Sequence, residues 1–186
     1  AIVFFKPSAK IDFVCKKHNW LKVGNSASLA RPLENKIKFF HLCKKNHLPQ
    51  IPQSIAPFNR STYKKYQQLY NQLVIQTKFG WAGKSSHLSQ HWTDISSKIP
   101  IDTPVKYSPY LKDCYTLINN CCLTNQGLIQ SPPAKQISGI KSLSQNPLAT
   151  VGRQWPSQAP LGIKNQVKKI SQQLGHILTT KNYKGF

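Results

Sequence analysis

Residues 61–80 read STYKKYQQLYNQLVIQTKFG, and this stretch anchors the expected fold. Its apolar positions at helical spacing are Tyr63, Tyr66, Tyr70 and Leu73. Such spacing predicts an amphipathic helix, which Ser61 can cap at its start and Gly80 can end. We therefore expect a helix over most of 61–80, with one apolar stripe facing a core.

The chain divides into five segments by composition and periodicity. They are a small basic element at 1–48, a Pro-rich linker at 49–60, a helical segment at 61–123, an irregular extension at 124–160, and a basic C-terminal helix and tail at 161–186. Short apolar runs rich in Phe, Ile and Val predict strands in the first segment. These runs are 2–5, 11–14, 20–23 and 37–40, although residues 34–44 could equally begin a helix. Three prolines within nine residues predict the linker.

Two more helices are expected beyond residue 100. Ser108-Pro109 predicts a helix start, because proline is favoured at the first helical position, and an apolar stripe follows through Ile118 to Cys122. After Pro160, apolar residues recur at intervals of four, three, four and three. The expected fold class is α+β: a small N-terminal strand-rich element followed by about three amphipathic helices with long irregular basic extensions.

The charge of the chain is strongly unbalanced. Lys and Arg total 26 against five Asp and Glu, which gives a formal net charge of +21 over 186 residues. Such imbalance favours a polyanionic partner, because like charges repel in the compact state. We therefore expect a structural RNA-binding protein that neutralises and bridges RNA phosphates. It would be a component of an organellar (mitochondrial) ribosome or similar ribonucleoprotein, with rRNA and neighbouring proteins of the particle as partners.

Lysines, several of them beside aromatic residues, are the predicted nucleic-acid contacts. They are Lys16, Lys17, Lys44, Lys45, Lys64, Lys65, Lys84, Lys164, Lys168, Lys169, Lys181 and Lys184. Ammonium groups neutralise the phosphate backbone, and aromatic rings stack on unpaired bases. Only three of the 26 basic residues are Arg, which favours backbone contacts over the reading of bases.

Composition also suggests a source and a compartment. Ala, Val, Gly, Asp and Glu, whose codons begin with G, are scarce, and Met is absent. A G-poor coding strand is typical of an organellar or viral genome, so a viral nucleic-acid-binding or accessory protein and an unselected open reading frame are alternatives. Five cysteines without a paired framework indicate a reducing compartment, which we expect to be the mitochondrial or another organellar matrix. No apolar run has the length of a membrane span, so no membrane partner is expected.

The acidic residues argue against catalysis. They are Asp12, Glu34, Asp94, Asp102 and Asp113, and metal-dependent nucleases need clustered carboxylates. A nuclease or other enzyme is therefore the less favoured alternative, and no residue is assigned a catalytic role. Gly83-Lys84-Ser85 resembles the end of a phosphate-binding loop, but Lys78 stands where that pattern needs glycine. The sequence favours a solvated turn there.

One set of residues has the spacing of a metal site. Cys15 and His18 form a C-x2-H pair, and Cys43 and His47 form a C-x3-H pair. Tetrahedral zinc takes four thiolate and imidazole ligands, and neighbouring lysines would favour the thiolates. The sequence requires no cofactor, and zinc at these four residues is its single candidate. The alternative is a buried cysteine with histidines that face RNA.

Overall fold

The computed structural model describes residues 1–4, 6–80 and 83–185. Within these ranges the helices are Ala9–Lys17 (α1), Ala27–Glu34 (α2), Lys36–Lys45 (α3), Arg60–Leu69 (α4) and Leu161–Thr179 (α5). The strands are Ile2–Val3 (β1), Lys22–Val23 (β2), Ser54–Pro57 (β3), Leu73–Gln76 (β4), Ser86–Ser89 (β5), Pro104–Pro109 (β6), Leu117–Ile118 (β7), Cys121–Thr124 (β8), Gly127–Gln130 (β9), Ala134–Ser138 (β10) and Thr150–Gln154 (β11). This mixture confirms the α+β fold class.

A four-stranded antiparallel sheet holds the main core, in the order β3-β6-β4-β5. Leu73 and Ile75 of β4 and Val105 and Tyr107 of β6 are fully buried on one face, where they pack with Tyr63 of α4. Burial of such side chains contributes about 1.5–3 kcal/mol each. Because successive strand residues point to opposite faces, the intervening residues of β4 and β6 lie on the other face of the sheet.

Three smaller sheets are present among the described residues. β10 pairs antiparallel with β7 and β11, β8 pairs antiparallel with β9, and β1 and β2 form a parallel pair. α5 packs on β8 and β9. A Cβ at Gly175 would lie 3.0 Å from Leu128 Cδ2, so glycine permits this close approach. None of the helices described is long and apolar enough to cross a membrane.

The helix expected over 61–80 is half right. α4 begins at Arg60, and the Asn59 side chain caps it by accepting the Thr62 N–H at 3.0 Å. It ends at Leu69, and residues 73–76 form β4 instead. The run Leu73-Val-Ile75 suits a strand, because β-branched residues pack well on a pleated surface. The single stripe was therefore two elements that share one core.

The helix expected from Ser108-Pro109 is wrong. Residues 104–109 form β6, and β7 and β8 follow at 117–118 and 121–124. Pro109 ends a strand here rather than starting a helix. The apolar stripe had mixed two strands with the turn between them, because short apolar runs do not distinguish strand from helix by spacing alone.

The strands expected in the first segment gave mixed outcomes. Those at 11–14 and 37–40 are wrong, because these residues lie in α1 and α3, which Ser8 and Asn35 cap at their N-termini. The runs at 2–5 and 20–23 contain the short strands β1 and β2, and residue 5 lies outside the described residues. Side-chain caps stabilise a helix from within a few residues. They are present at α1 and α3, where the apolar runs had suggested strands.

The second half of the chain also departs from expectation in one place. The extension at 124–160, expected to be irregular, carries β9, β10 and β11. These strands find their partners in β7, β8 and one another, so the pairing depends on residues outside each short run. The helix expected after Pro160 is confirmed as α5.

Candidate binding cleft

A cleft of about 650 Å³ lies between the outer face of the main sheet and the sheet that contains β10. Gln76 of β4 and Lys106 and Ser108 of β6 line one side of it, and Gln136 and Ser138 of β10 line the other. The strand alternation that buries their neighbours in the core directs these polar side chains into the cleft. The core and the cleft thus lie on opposite faces of the same sheet.

Lys106 lines this cleft, and the Lys36 ammonium is close enough to affect it. Burial, and next the nearby Lys36 ammonium, lower the pKa of Lys106. Burial also lowers the pKa of Lys36, with a further contribution from Lys6. Desolvation and a like charge both disfavour a cation. An anion bound between these groups would relieve both costs, so the electrostatics of the cleft favour a negatively charged ligand.

Lys36 also fixes the connection between β4 and β5. Its Nζ donates to the Gly80 carbonyl oxygen at 2.8 Å and to Ser85 Oγ at 2.7 Å. Its backbone N–H donates to the Lys78 carbonyl at 2.9 Å, and Thr77 N–H donates to the Ser85 carbonyl at 3.1 Å. The start of α3 therefore holds both ends of this hairpin connection, which follows Gln76 of the cleft.

Two glycines of this connection cannot carry side chains without rearrangement. A Cβ at Gly80, where φ is +139°, would lie 2.5 Å from Ser85 Oγ. A Cβ at Gly83, where φ is +77°, would lie 2.7 Å from Asn146 Nδ2. Positive φ and close approach both require glycine. In phosphate-binding loops, glycines let the backbone come near a bound phosphate.

The fold is similar to that of solved ligases and synthetases. D-alanyl-alanine synthetase A from Vibrio cholerae matches with a TM-score of 0.71 at 11% identity, over 91% of this chain and 54% of that chain. Carboxyaminoimidazole ribonucleotide synthase from Aspergillus clavatus, in a complex with ATP, matches with a TM-score of 0.67 at 13% identity, over 92% and 44%. Phosphoribosylamine–glycine ligase from Thermotoga maritima matches with a TM-score of 0.66 at 13% identity, over 96% and 48%.

These similarities show the fold, and the chain spans about half the length of the structures it matches. No protein-family model matches the chain. No curated protein matches its sequence. The comparison of structures therefore recognises the fold, although the comparisons of sequence find no match.

The functional predictions drawn from charge are wrong. They were a structural RNA-binding role, a ribosomal or other ribonucleoprotein setting, RNA partners and a non-enzymatic class. The finding that overturns them is the fold, because the matched structures are ligases and synthetases of small molecules. The physical reason is that a net charge counts ammonium groups without placing them. In the folded chain Lys106 lines an internal cleft, with Lys36 close to it.

The lysines predicted to contact nucleic acid lie on several elements, and two of them, Lys45 and Lys181, line one pocket together. Lys16 and Lys17 end α1, and Lys44 and Lys45 end α3. Those of α4, α5 and the tail are Lys64, Lys65, Lys164, Lys168, Lys169, Lys181 and Lys184. Lys84 is the exception in position, because it lies in the connection between β4 and β5. Within the described ranges the lysines that line the cleft are Lys106 and Lys135, and neither was predicted.

The proposed zinc ligands are distributed over two helices and their ends. Cys15 is buried in α1 and Cys43 in α3. His18 stacks on Trp20 with ring centroids 5.0 Å apart, and His47 follows α3 with a φ of 53°. Across the described residues, no three His, Cys, Asp or Glu side chains are grouped so that they could hold a metal ion. Zinc binding stays a prediction that metal analysis of the native protein tests.

Sequence reasoning missed Lys36, Gln76 and Lys106. One sequence feature lies close to Lys36: Gly83-Lys84-Ser85, which resembles part of a phosphate-binding loop and whose Ser85 accepts a hydrogen bond from Lys36 Nζ. That pattern expects a strand followed by a helix, and here the glycines connect two antiparallel strands. The spacing therefore did not fit, although both patterns place glycines in a tight connection.

Proposed function

We propose that this chain binds ATP in the cleft between the two sheets and forms the nucleotide-binding part of an ATP-dependent ligase. The observation that carries the proposal is that Lys106 lines the cleft, while the nearby Lys36 holds the glycine-containing connection through the Gly80 carbonyl. Support comes from the shared fold with ligases, one of which was solved in a complex with ATP. The substrates joined by the ligase are left open.

The residues fit a polyphosphate. The Lys36 and Lys106 ammonium groups are half-buried, so their attraction for phosphate oxygens is screened less than that of surface lysines. Gly80 and Gly83 let the connection that Lys36 holds pack closely against Ser85 and Asn146. Fixed cations aimed at a transferring phosphoryl group stabilise the charge that develops on it. These residues would therefore bind and orient the nucleotide.

The described residues do not fit a divalent metal by themselves. No group of three His, Cys, Asp or Glu side chains among them could hold one, and hard cations such as Mg²⁺ prefer carboxylate and phosphate oxygens. The proposal therefore assigns no step to a metal, and binding should be measured both with and without Mg²⁺.

ATP titration of single-lysine variants tests the proposal. Lys106→Met and Lys36→Met should each weaken ATP binding by about tenfold or more, because each removes a poorly screened charge–phosphate contact. Lys164→Met is the matched control, since it removes the same charge from α5, away from the cleft. It corrects for the general attraction of a +21 chain for any polyanion.

The outcome separates specific from general binding. Loss confined to the two cleft variants, with the control unchanged, supports a nucleotide site. Equal loss in all three variants, or inorganic tripolyphosphate competing as well as ATP while adenosine does not compete at all, would show general polyanion binding and overturn the proposal.

A further inference from the structure

The side chain of Asn146 connects two parts of the chain across one end of the cleft. Its Nδ2 donates to the Gly83 carbonyl oxygen at 3.1 Å. Gly83 belongs to the connection between β4 and β5, and Asn146 lies between β10 and β11. The next two residues, Pro147 and Leu148, line the cleft. One side-chain hydrogen bond therefore joins the main sheet to the segment opposite it.

The orientation of this amide is fixed by its own segment. Asn146 Oδ1 accepts the Leu148 N–H at 2.9 Å, which leaves Nδ2 to face Gly83. The Asn146 backbone is held as well, because its carbonyl accepts the Ala149 N–H at 3.0 Å and its N–H donates to Ser144 Oγ at 3.2 Å. Because its own segment already holds the Asn146 amide in place, the amide loses little entropy when it donates to the Gly83 carbonyl.

The contact is also close on the Gly83 side. Besides Asn146 Nδ2, a Cβ at Gly83 would meet the Ala149 backbone at 3.4 Å, and Ala149 is buried. The Gly83 carbonyl accepts a second hydrogen bond from the Ser86 N–H at 3.0 Å. Gly83 is therefore held between its own hairpin and the segment around Asn146.

We propose that Asn146 is a positioning residue: its amide fixes the Gly83 carbonyl and so holds the β4–β5 connection against the cleft, which slows the departure of a bound nucleotide. It acts without touching the ligand. The effect on nucleotide binding rests on the function proposed above, whereas the effect on the β4–β5 connection does not.

Asn146→Asp is the sharpest variant. The substituted side chain keeps an oxygen for the Leu148 N–H but places a second oxygen, which cannot donate, against the Gly83 carbonyl. Asn46→Asp is the matched control, because Asn46 Nδ2 donates to a backbone carbonyl in the same way, to Leu42 at 2.8 Å, at the end of α3. It makes the same change in charge and loses the same kind of bond away from Gly83.

Two measurements follow. Trypsin cleavage after Lys84 in the nucleotide-free protein should become about fivefold faster in Asn146→Asp than in wild type, as expected for the loss of one hydrogen bond. Cleavage after Lys164 should be unchanged and serves as the internal reference. ATP should also dissociate about fivefold faster, with little change in its association rate, because most affinity differences lie in dissociation.

The two measurements test the two proposals independently. If wild type does not bind ATP, the proposed function is wrong, and faster cleavage after Lys84 still supports the role of Asn146. If cleavage after Lys84 matches wild type, or Asn46→Asp accelerates it as much, the role of Asn146 is overturned, whatever the affinity for ATP.

Discussion

Gln76 of β4 and Lys106 of β6 lie directly opposite each other in the main sheet. The neighbouring pair, Ile75 and Tyr107, is fully buried in the core. A shift of either strand by one residue would move the polar side chain of that strand into the core. The burial of the core pair thus determines that the polar pair faces the cleft, and the stability of the sheet and the chemistry of the cleft depend on one register.

Lys106→Met should stabilise the nucleotide-free protein even though it weakens ATP binding. The half-buried ammonium is disfavoured first by burial and then by Lys36, and methionine removes that cost. A gain of about 1 kcal/mol would raise Tm by roughly 2–4 °C in a chain of this size. Thermal unfolding without nucleotide measures it, with Lys164→Met as the control. An unchanged or lower Tm would show that Lys106 is well solvated.

The gain in stability from Lys106→Met should also depend on pH. The pKa of Lys106 in the folded protein is below its usual 10.5. The folded state therefore carries an unfavourable charge at neutral pH, and it releases the proton before the unfolded state does as the pH rises. The destabilisation is full below the folded pKa and is lost between that value and 10.5. Unfolding from pH 7 to pH 10 (roughly the window in which lysine shifts act) should show the two proteins converging, and a constant difference would point to packing instead.

Gly80→Ala should disturb the β4–β5 connection more than its backbone strain alone explains. Gly127→Ala is the control, because Gly127 also has a positive φ, +122° against +139° at Gly80, but a Cβ at Gly127 would meet no atom within 4 Å. Both changes should cost about 1–2 kcal/mol for the left-handed backbone. Gly80→Ala should also weaken ATP binding, because its Cβ would meet Ser85. Equal effects of both variants on ATP affinity would contradict this.

Tyr63 and Ser89 should be coupled in stability. Tyr63 Oη lies 2.9 Å from Ser89 Oγ, and both residues are buried. Tyr63→Phe should therefore destabilise the protein by about 1–2 kcal/mol. Ser89→Ala alone should also destabilise it, while the double variant should cost less than the sum of the two. Denaturant unfolding of the four proteins measures the coupling, and simple additivity would refute the bond.

Two glycines of α5 should respond in opposite directions to alanine. A Cβ at Gly162 meets nothing within 4 Å, whereas one at Gly175 would lie 3.0 Å from Leu128 Cδ2. Gly162→Ala should stabilise the protein by about 0.4–1 kcal/mol, chiefly by restricting the unfolded chain. Gly175→Ala should destabilise it by about 1–3 kcal/mol through overpacking against β9. Stabilisation by both would mean that α5 does not pack on Leu128.

The sequence by itself determined local features that depend on neighbouring residues. The mixture of strands and helices, the helix after Pro160 and the helical start near residue 61 follow from spacing and from caps, which act within a few residues. The sequence also states the number of carboxylates and lysines directly. None of these properties states which residues meet.

The position of the cleft and the residues around it follow only from the tertiary structure. Lys36 and Gly80 are 44 residues apart, and Asn146 and Gly83 are 63 apart, so no local pattern relates them. β4 could be distinguished from the end of a helix only once Ile75 was paired with Tyr107 across the sheet. Because side-chain packing between distant strands sets the register, it also determines which lysines face solvent and which line the cleft.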